Sequence, residues 1–268
     1  MARGIDHIVH AVRDLDAAAA VYRNLGFTVG GRNLHPRDWG TQNRIIQTPD
    51  TYIELLSIAD ESGIAPHDPR YFSFGAFNRD FLKRGEGLSM LVLKGQGVPD
   101  AEAFRAEDIG GFELYELKRE GKKRDGTPLK FSFTLAFARD REAPDVGFFT
   151  CQQHHPPEHF WNPEFQKHAN GTTGISGIVL VANEPARHCA FLEAFANGNA
   201  ETSYDGFTID TLRGAIEMKT PAAFTSRYGI ESPNTEHGAR LAAIRFSGAK
   251  TLAVETAMGA VLVFEPAG

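Results

Sequence analysis

The block Gly4-Ile5-Asp6-His7-Ile8-Val9 returns in the second half of the chain as Gly174-Ile175-Ser176-Gly177-Ile178-Val179. A weaker copy, Gly87-Leu88-Ser89-Met90-Leu91-Val92, lies between them. A recurring block of this kind constrains the fold before any single residue does, because each copy must build the same local unit and the units must pack on one another.

The unit is clearest in its first copy. Residues 5–12 are short and rich in β-branched side chains, as a buried strand requires. Asp14 stands at a helix N-cap position, and residues 15–25 place Leu15, Ala18, Ala19, Tyr22 and Leu25 on helical spacing. Gly26 suits the left-handed C-terminal position. Strands are expected at 27–33, 42–48 and 51–58, the last two joined by a Pro49-Asp50 turn. The result is a β-α-β-β-β module over 4–58.

The second copy continues with a helix at 99–107 and strands at 112–118, 130–138 and 146–153. The third has a helix at 185–196 and strands at 201–204, 207–212 and 215–219. Tyr52-Ile53-Glu54-Leu55 and Ala215-Ile216-Glu217-Met218 match as closing strands. A trimmed fourth unit keeps a first strand at 241–246 and a last at 260–264, without a helix. Residues 59–86 lie outside the modules and carry a helix candidate at 74–83. Residues 154–173 join the halves and are too aromatic for a loose linker. The organisation read from this is 1–155 with modules one and two, a packed connector at 156–173, and 174–268 with module three and the trimmed module four.

Net charge narrows the partners. With a formal charge of −6, the chain lacks the basic face that a nucleic acid needs. The densest basic cluster, Lys118, Arg119, Lys122, Lys123 and Arg124, reads as a solvated hairpin tip closed by Asp125-Gly126. No apolar run reaches membrane-spanning length, and no signal peptide is evident, so a cytoplasmic protein is expected. The two cysteines, Cys151 and Cys189, read as small buried side chains rather than a disulfide framework.

Ile5-Asp6-His7-Ile8-Val9-His10-Ala11-Val12-Arg13-Asp14-Leu15, then Tyr22, Leu25-Gly26-Phe27 and Ile53-Glu54-Leu55, resembles the vicinal-oxygen-chelate superfamily and within it the glyoxalase-like domain proteins. Cys151-Gln152-Gln153-His154, Pro157-Glu158 and His168-Ala169-Asn170-Gly171 are similar to the same group. The resemblance implies an α+β fold of βαβββ modules whose curled mixed sheets form a cup for a small molecule. It also implies a divalent metal held by residues of the first and last strands. Carried over position by position, the ligands fall on His7 and Glu54 in module one. The corresponding slots hold Met90 and Thr150 or Cys151 in module two, Gly177 and Glu217 in module three, and Ala243 in the trimmed unit. Only the first pair is intact, and a catalytic cation needs at least three convergent ligands. His154 is a candidate to complete a set of two histidines and one carboxylate, or to move a proton.

Other residues are weighed for the same cup. Tyr52 shares a strand face with Glu54. Arg44 on the neighbouring strand could clamp a carboxylate or form a surface ion pair. Trp39 and Trp161 could cover the ligand or seal a domain joint. Two functions compete: an enzyme acting on a small oxygenated or carboxylated molecule, as a metal-assisted lyase, isomerase or dioxygenase, and a metal-free binding protein of the same fold. In either case modules three and four would complete the fold or build a homodimer.

Overall fold

A computed structural model describes residues 2–122, 126 and 128–266. Lys123, Arg124 and Asp125 of the expected hairpin tip lie outside them. The first module runs β1 (Ile5–Ala11), α1 (Leu15–Asn24), β2 (Asn33–Leu34), β3 (Thr41–Gln47) and β4 (Tyr52–Ile58). Asp14 caps α1, accepting from the amides of Asp16 and Ala17. Leu15, Ala18, Ala19 and Tyr22 form the buried stripe of α1. After a helix over the linking segment, α2 (Phe74–Arg84), the second module follows as β5 (Gly87–Lys94), α3 (Val98–Ala106), β6 (Tyr115–Lys122), β7 (Pro128–Ala138) and β8 (Gly147–Gln153).

A short helix, α4 (Pro157–Phe160), lies in the connector. The third module is β9 (Gly174–Val181), α5 (Cys189–Ala196), β10 (Ala200–Ser203), β11 (Gly206–Asp210) and β12 (Ala215–Lys219). Then come α6 (Pro221–Tyr228), β13 (Arg240–Ala249), β14 (Ala253–Ala257) and β15 (Ala260–Pro266). Among the described residues no helix is long and apolar enough to cross a membrane.

Two mixed sheets result, ordered β2-β3-β4-β1-β5-β8-β7-β6 and β10-β11-β12-β9-β13-β15-β14. Each is a pair of modules joined back to back. First strands meet antiparallel at the centre (β1 with β5, β9 with β13), and each pairs in parallel with its own closing strand.

The backs of both sheets share one core. Ile5, Ile8, Tyr22 and Phe104 of the first half pack in the same cluster as Phe195, Ile216, Ile244 and Phe264 of the second. The fronts face outward and are filled separately, one by Trp39, Phe74, Phe133 and Phe149, the other by α6 through Phe224 and Tyr228.

Several expectations need correction. Residues 27–32 form no strand: Gly30 and Gly31 interrupt the run, and only Asn33–Leu34 pair with β3. The helix expected at 185–196 is split, a 3-10 turn at Pro185–His188 leading into α5. The trimmed unit has no helix between its first and last strands, as expected, but it keeps a further strand, β14, paired with β15 as β7 is with β8, and α6 was not anticipated. Cys189 is half-buried rather than buried, while Cys151 is buried as expected.

Candidate functional site

Every long strand of the first sheet except β5 contributes to one cavity. His7 comes from β1, Asn43 and Ile45 from β3, and Tyr52 and Glu54 from β4. Leu117 and Arg119 come from β6, Phe133 and Leu135 from β7, and Phe149 and Cys151 from β8. The outer strands can reach one space only because the sheet curls. Trp39 from the loop between β2 and β3 and Phe74 from α2 complete the wall, stacked with ring centroids 4.1 Å apart.

The polar side of this cup is a connected set. Asp6 and His7 are adjacent in β1, yet their side chains bond, Asp6 Oδ1 to His7 Nδ1 at 2.7 Å. A register shift between Ile5 and His7 relaxes the strict alternation that would send them to opposite faces. The His7 ring is fixed by a parallel stack on Tyr52 at 4.3 Å. Its Nε2 looks toward Glu54 Oε2 at 3.8 Å.

The other Glu54 oxygen, Oε1, accepts from Asn43 Nδ2 at 2.6 Å and lies 3.3 Å from His35 Nε2. His35 is held by Thr41 Oγ1 at 2.7 Å from its Nδ1. Burial alone would raise the Glu54 carboxyl. The hydrogen bond from His35, the charges of His35 and His7 and the Asn43 amide outweigh it and hold the carboxyl at about 2. Glu54 is therefore a fixed anion. The Tyr52 hydroxyl is pushed well up, first by burial and then by the nearby Asp6 charge.

Arg119 faces this set from the opposite wall. Its guanidinium lies over the Phe131 ring at 4.8 Å, and its Nε is buried with no hydrogen-bond partner. Burial lowers its pKa, and Glu54 and Tyr52 oppose the shift.

Of the residues singled out from sequence, His7, Glu54, Tyr52 and Trp39 meet in this cup. Three do not. Arg44 points to the other face of β3, where it binds Asp16 Oδ1 at 2.8 Å and the Gly30 carbonyl at 3.0 Å, so it cannot clamp a ligand in the cup. His154 is exposed and bonds Thr134 Oγ1 at 2.8 Å, outside the cavity, so it completes no set with His7. Trp161 meets the Tyr52 ring edge to face with centroids 5.9 Å apart, and its neighbour Phe160 takes the place in the wall.

Slots assigned in module two also move. Strand register pairs Val9 with Glu54 and Val92 with Phe149, so the counterpart of Glu54 is Phe149. Thr150 turns away to bond Asp100.

Residues missed from sequence carry much of the chemistry. Asn43 is readable in retrospect, since it shares a strand face with Ile45, which lies opposite Glu54. Arg119 is readable in the same way. It shares a face with Leu117 and pairs across to Phe131, while Lys118 points out. It is no hairpin-tip charge. His35 lies in a loop ahead of β3, where no periodicity marks it.

A divalent cation in this cup would have His7, His35 and Glu54 as its donors. Two imidazoles and a carboxylate are suitable types. Their arrangement is not suitable: each imidazole meets a different Glu54 oxygen, and the Asn43 amide sits 2.9 Å from His35 Nε2, in the space a bridging cation would take. Among the described residues no group of three or more His, Cys, Asp or Glu has metal-holding geometry.

The second cup is plugged. Glu217 occupies the register position of Glu54, paired with Val179 as Glu54 is with Val9, but Gly177 stands where His7 would be. Arg245 binds one Glu217 oxygen and Arg227 the other, the latter at 2.6 Å.

The glyoxalase-like domain family matches residues 5–195. No curated protein sequence matches the chain. A hypothetical protein from Staphylococcus aureus superposes with a TM-score of 0.74 at 12% identity, covering 98% of this chain and 99% of that one. A triple mutant of 4-hydroxymandelate synthase from Streptomyces coelicolor superposes at 0.55 and 10% identity, covering 92% of this chain and 71% of that one. At such identities the likeness is one of fold. The chain belongs to the glyoxalase-like domain family, within the vicinal-oxygen-chelate fold.

Proposed function

We propose that the chain is an enzyme that moves a proton on a small oxygenated or carboxylated molecule bound in the cup of its first two modules, with His7 as the base. The observation that carries this reading is the Asp6–His7 pair. A base is competent when a third group fixes its tautomer and ring plane. Asp6, itself buried, holds the Nδ1–H of His7 at 2.7 Å, which leaves the Nε2 lone pair directed into the cavity. Histidine is the residue type that exchanges protons near neutral pH.

Glu54, kept ionised, stabilises the imidazolium that forms when His7 takes a proton, and Asn43 and His35 keep Glu54 in place. The aromatic wall excludes water and strengthens these interactions. Proton transfer by His7 needs no metal, and the donors do not close around one. Residues 1–155 carry the site in this reading, the 156–173 connector walls it through Phe160, and 174–268 completes the fold. Two unpaired thiols suit a reducing compartment such as the cytoplasm.

The test is hydrogen exchange in D2O. A panel of small carboxylates and 2-oxo acids is incubated with protein, and loss of the proton next to the carbonyl is followed by NMR. Exchange by wild type and its loss in His7→Gln supports the reading. Equal exchange by His7→Gln, or none across the panel, overturns it.

A metal-free binding protein is the second reading. The buried, partnerless Nε of Arg119 favours it, since an anion on that edge needs no chemistry to be held.

A further inference from the structure

A second, larger space adjoins the cup. The inner cavity holds about 60 Å³, and the outer groove about 850 Å³. Ile45, Arg119 and Phe160 line both, so these three side chains form the neck between them. The inner space is much the smaller of the two, and suits the head of a ligand rather than the whole of a long one. Anything larger must pass the neck.

We infer that the ligand of this cup is an amphipathic monocarboxylate: a carboxyl head bound at the neck by Arg119, and an apolar tail lying in the outer groove. The inference rests on the reading of the cup as a small-molecule site, and it names the class of molecule.

Three observations carry it. First, Arg119 has no ion-pair partner among the described residues, and its buried Nε lacks any hydrogen bond. A guanidinium edge with a free Nε–H and an adjacent terminal N–H matches the two oxygens of a carboxylate. Phe131 beneath the guanidinium fixes its plane. Second, Glu54 is ionised on the facing wall. One cation opposite one anion accommodates a single negative charge and disfavours a dianion such as a phosphate monoester. Third, the larger side chains of the groove beyond the neck include Leu129, Phe131, Trp161 and Phe165, and its lining carries two carboxylates, Glu158 and Glu164. Acidic side chains beside apolar ones repel a phosphate-bearing tail and accept a hydrocarbon or aryl chain.

The experiment is calorimetric titration of the full chain with octanoate, acetate and octanamide. Wild type is expected to bind octanoate at least tenfold more tightly than acetate, which lacks the tail, and than octanamide, which lacks the charge. Arg119→Gln is expected to lose at least tenfold in octanoate affinity and to leave octanamide unchanged. Phe160→Ala, at the neck, should compress the preference for octanoate over acetate.

Equal affinities for octanoate and octanamide overturn the inference. So does unchanged octanoate binding by Arg119→Gln, or no saturable octanoate binding at millimolar concentration. Octanoate binding that fails while small 2-oxo acids still exchange in D2O would sink the ligand class and leave the proton-transfer reading standing.

Discussion

Asp6 and His7 follow one another in a strand, yet they meet side chain to side chain, Oδ1 to Nδ1 at 2.7 Å, both nearly inaccessible to solvent. The pair separates orientation from charge. Asp6→Asn keeps the shape and can still accept from Nδ1–H through its amide oxygen, but it no longer stabilises a charged imidazole. The expected result is a loss of about 100-fold in the D2O exchange rate, within the range general-base groups contribute. Thermal stability should change by only about 1 kcal/mol, because the hydrogen bond survives. An unchanged exchange rate in Asp6→Asn would mean that His7 is held but not assisted.

Acid should destabilise the protein in two separable stages. His10 is fully buried between the halves, with Tyr22 Oη at 2.9 Å and the Met258 carbonyl at 3.0 Å from its ring nitrogens. Burial pushes it down from 6.5 to about 4, against the opposing Met258 hydrogen bond and Glu86 charge. The unfolded chain therefore binds a proton in this window that the folded chain does not. Stability is fully present above pH 6.5 and falls as pH drops toward 4, by about 3 kcal/mol.

Glu54 acts lower, its contribution present above 4.5 and lost as pH falls toward 2. Denaturant midpoints measured across pH should flatten between 6.5 and 4 in His10→Phe and below 4.5 in Glu54→Gln, whatever the variants' baseline stability. A His10→Phe curve as steep as wild type would refute the assignment.

The modules were legible because they rest on local signals that recur: a β-branched first strand, the Asp14 cap, and a closing strand with glutamate at a fixed place. His7 and Glu54 were singled out by the resemblance to the vicinal-oxygen-chelate superfamily, which implies ligands on the first and last strands of a module. The rest of the site was not, for three physical reasons. His35 enters from a loop, where position depends on tertiary packing against Trp39 and Thr41 rather than on period. Arg119 lies among lysines, and only strand alternation, not composition, turns it inward. His154 was misplaced because a residue at a strand end can follow either face. It follows Thr134, away from His7. The slots of module two shift because a closing strand is located from sequence only to within a residue or so, and one residue reverses the face.

In the second cup, charge replaces function. Glu217 is buried and bracketed by Arg245 and Arg227. Removing the anion strips half-exposed Arg227 of its partner and leaves Arg245 with Glu265 alone, so Glu217→Ala should destabilise by about 1–3 kcal/mol. Octanoate affinity and exchange activity should stay at wild-type levels once the protein is folded, since this cluster lies on the other sheet. A fall in activity larger than the unfolded fraction explains would show that the two cups communicate.

Gly75 tests how tightly the first cup is built. It sits in the first turn of α2, beside Phe74, and a Cβ placed there would lie 2.0 Å from the Trp39 carbonyl oxygen. No side-chain rotation relieves a clash with backbone, so Gly75→Ala must push the Trp39 segment outward. Trp39 stacks on Phe74 and meets the His35 ring edge at 5.3 Å, and His35 in turn steadies Glu54. Overpacking of this kind costs about 1–3 kcal/mol. Gly85 at the far end of the same helix is the control: its backbone is extended at φ 163° and an added Cβ meets nothing within 4 Å. Gly85→Ala should therefore match wild type in stability, in tryptophan emission and in octanoate binding. Gly75→Ala should lose stability, shift the Trp39 emission to the red and weaken octanoate together. If Gly75→Ala behaves as Gly85→Ala does, the Trp39 wall yields freely and does not set the shape of the cup.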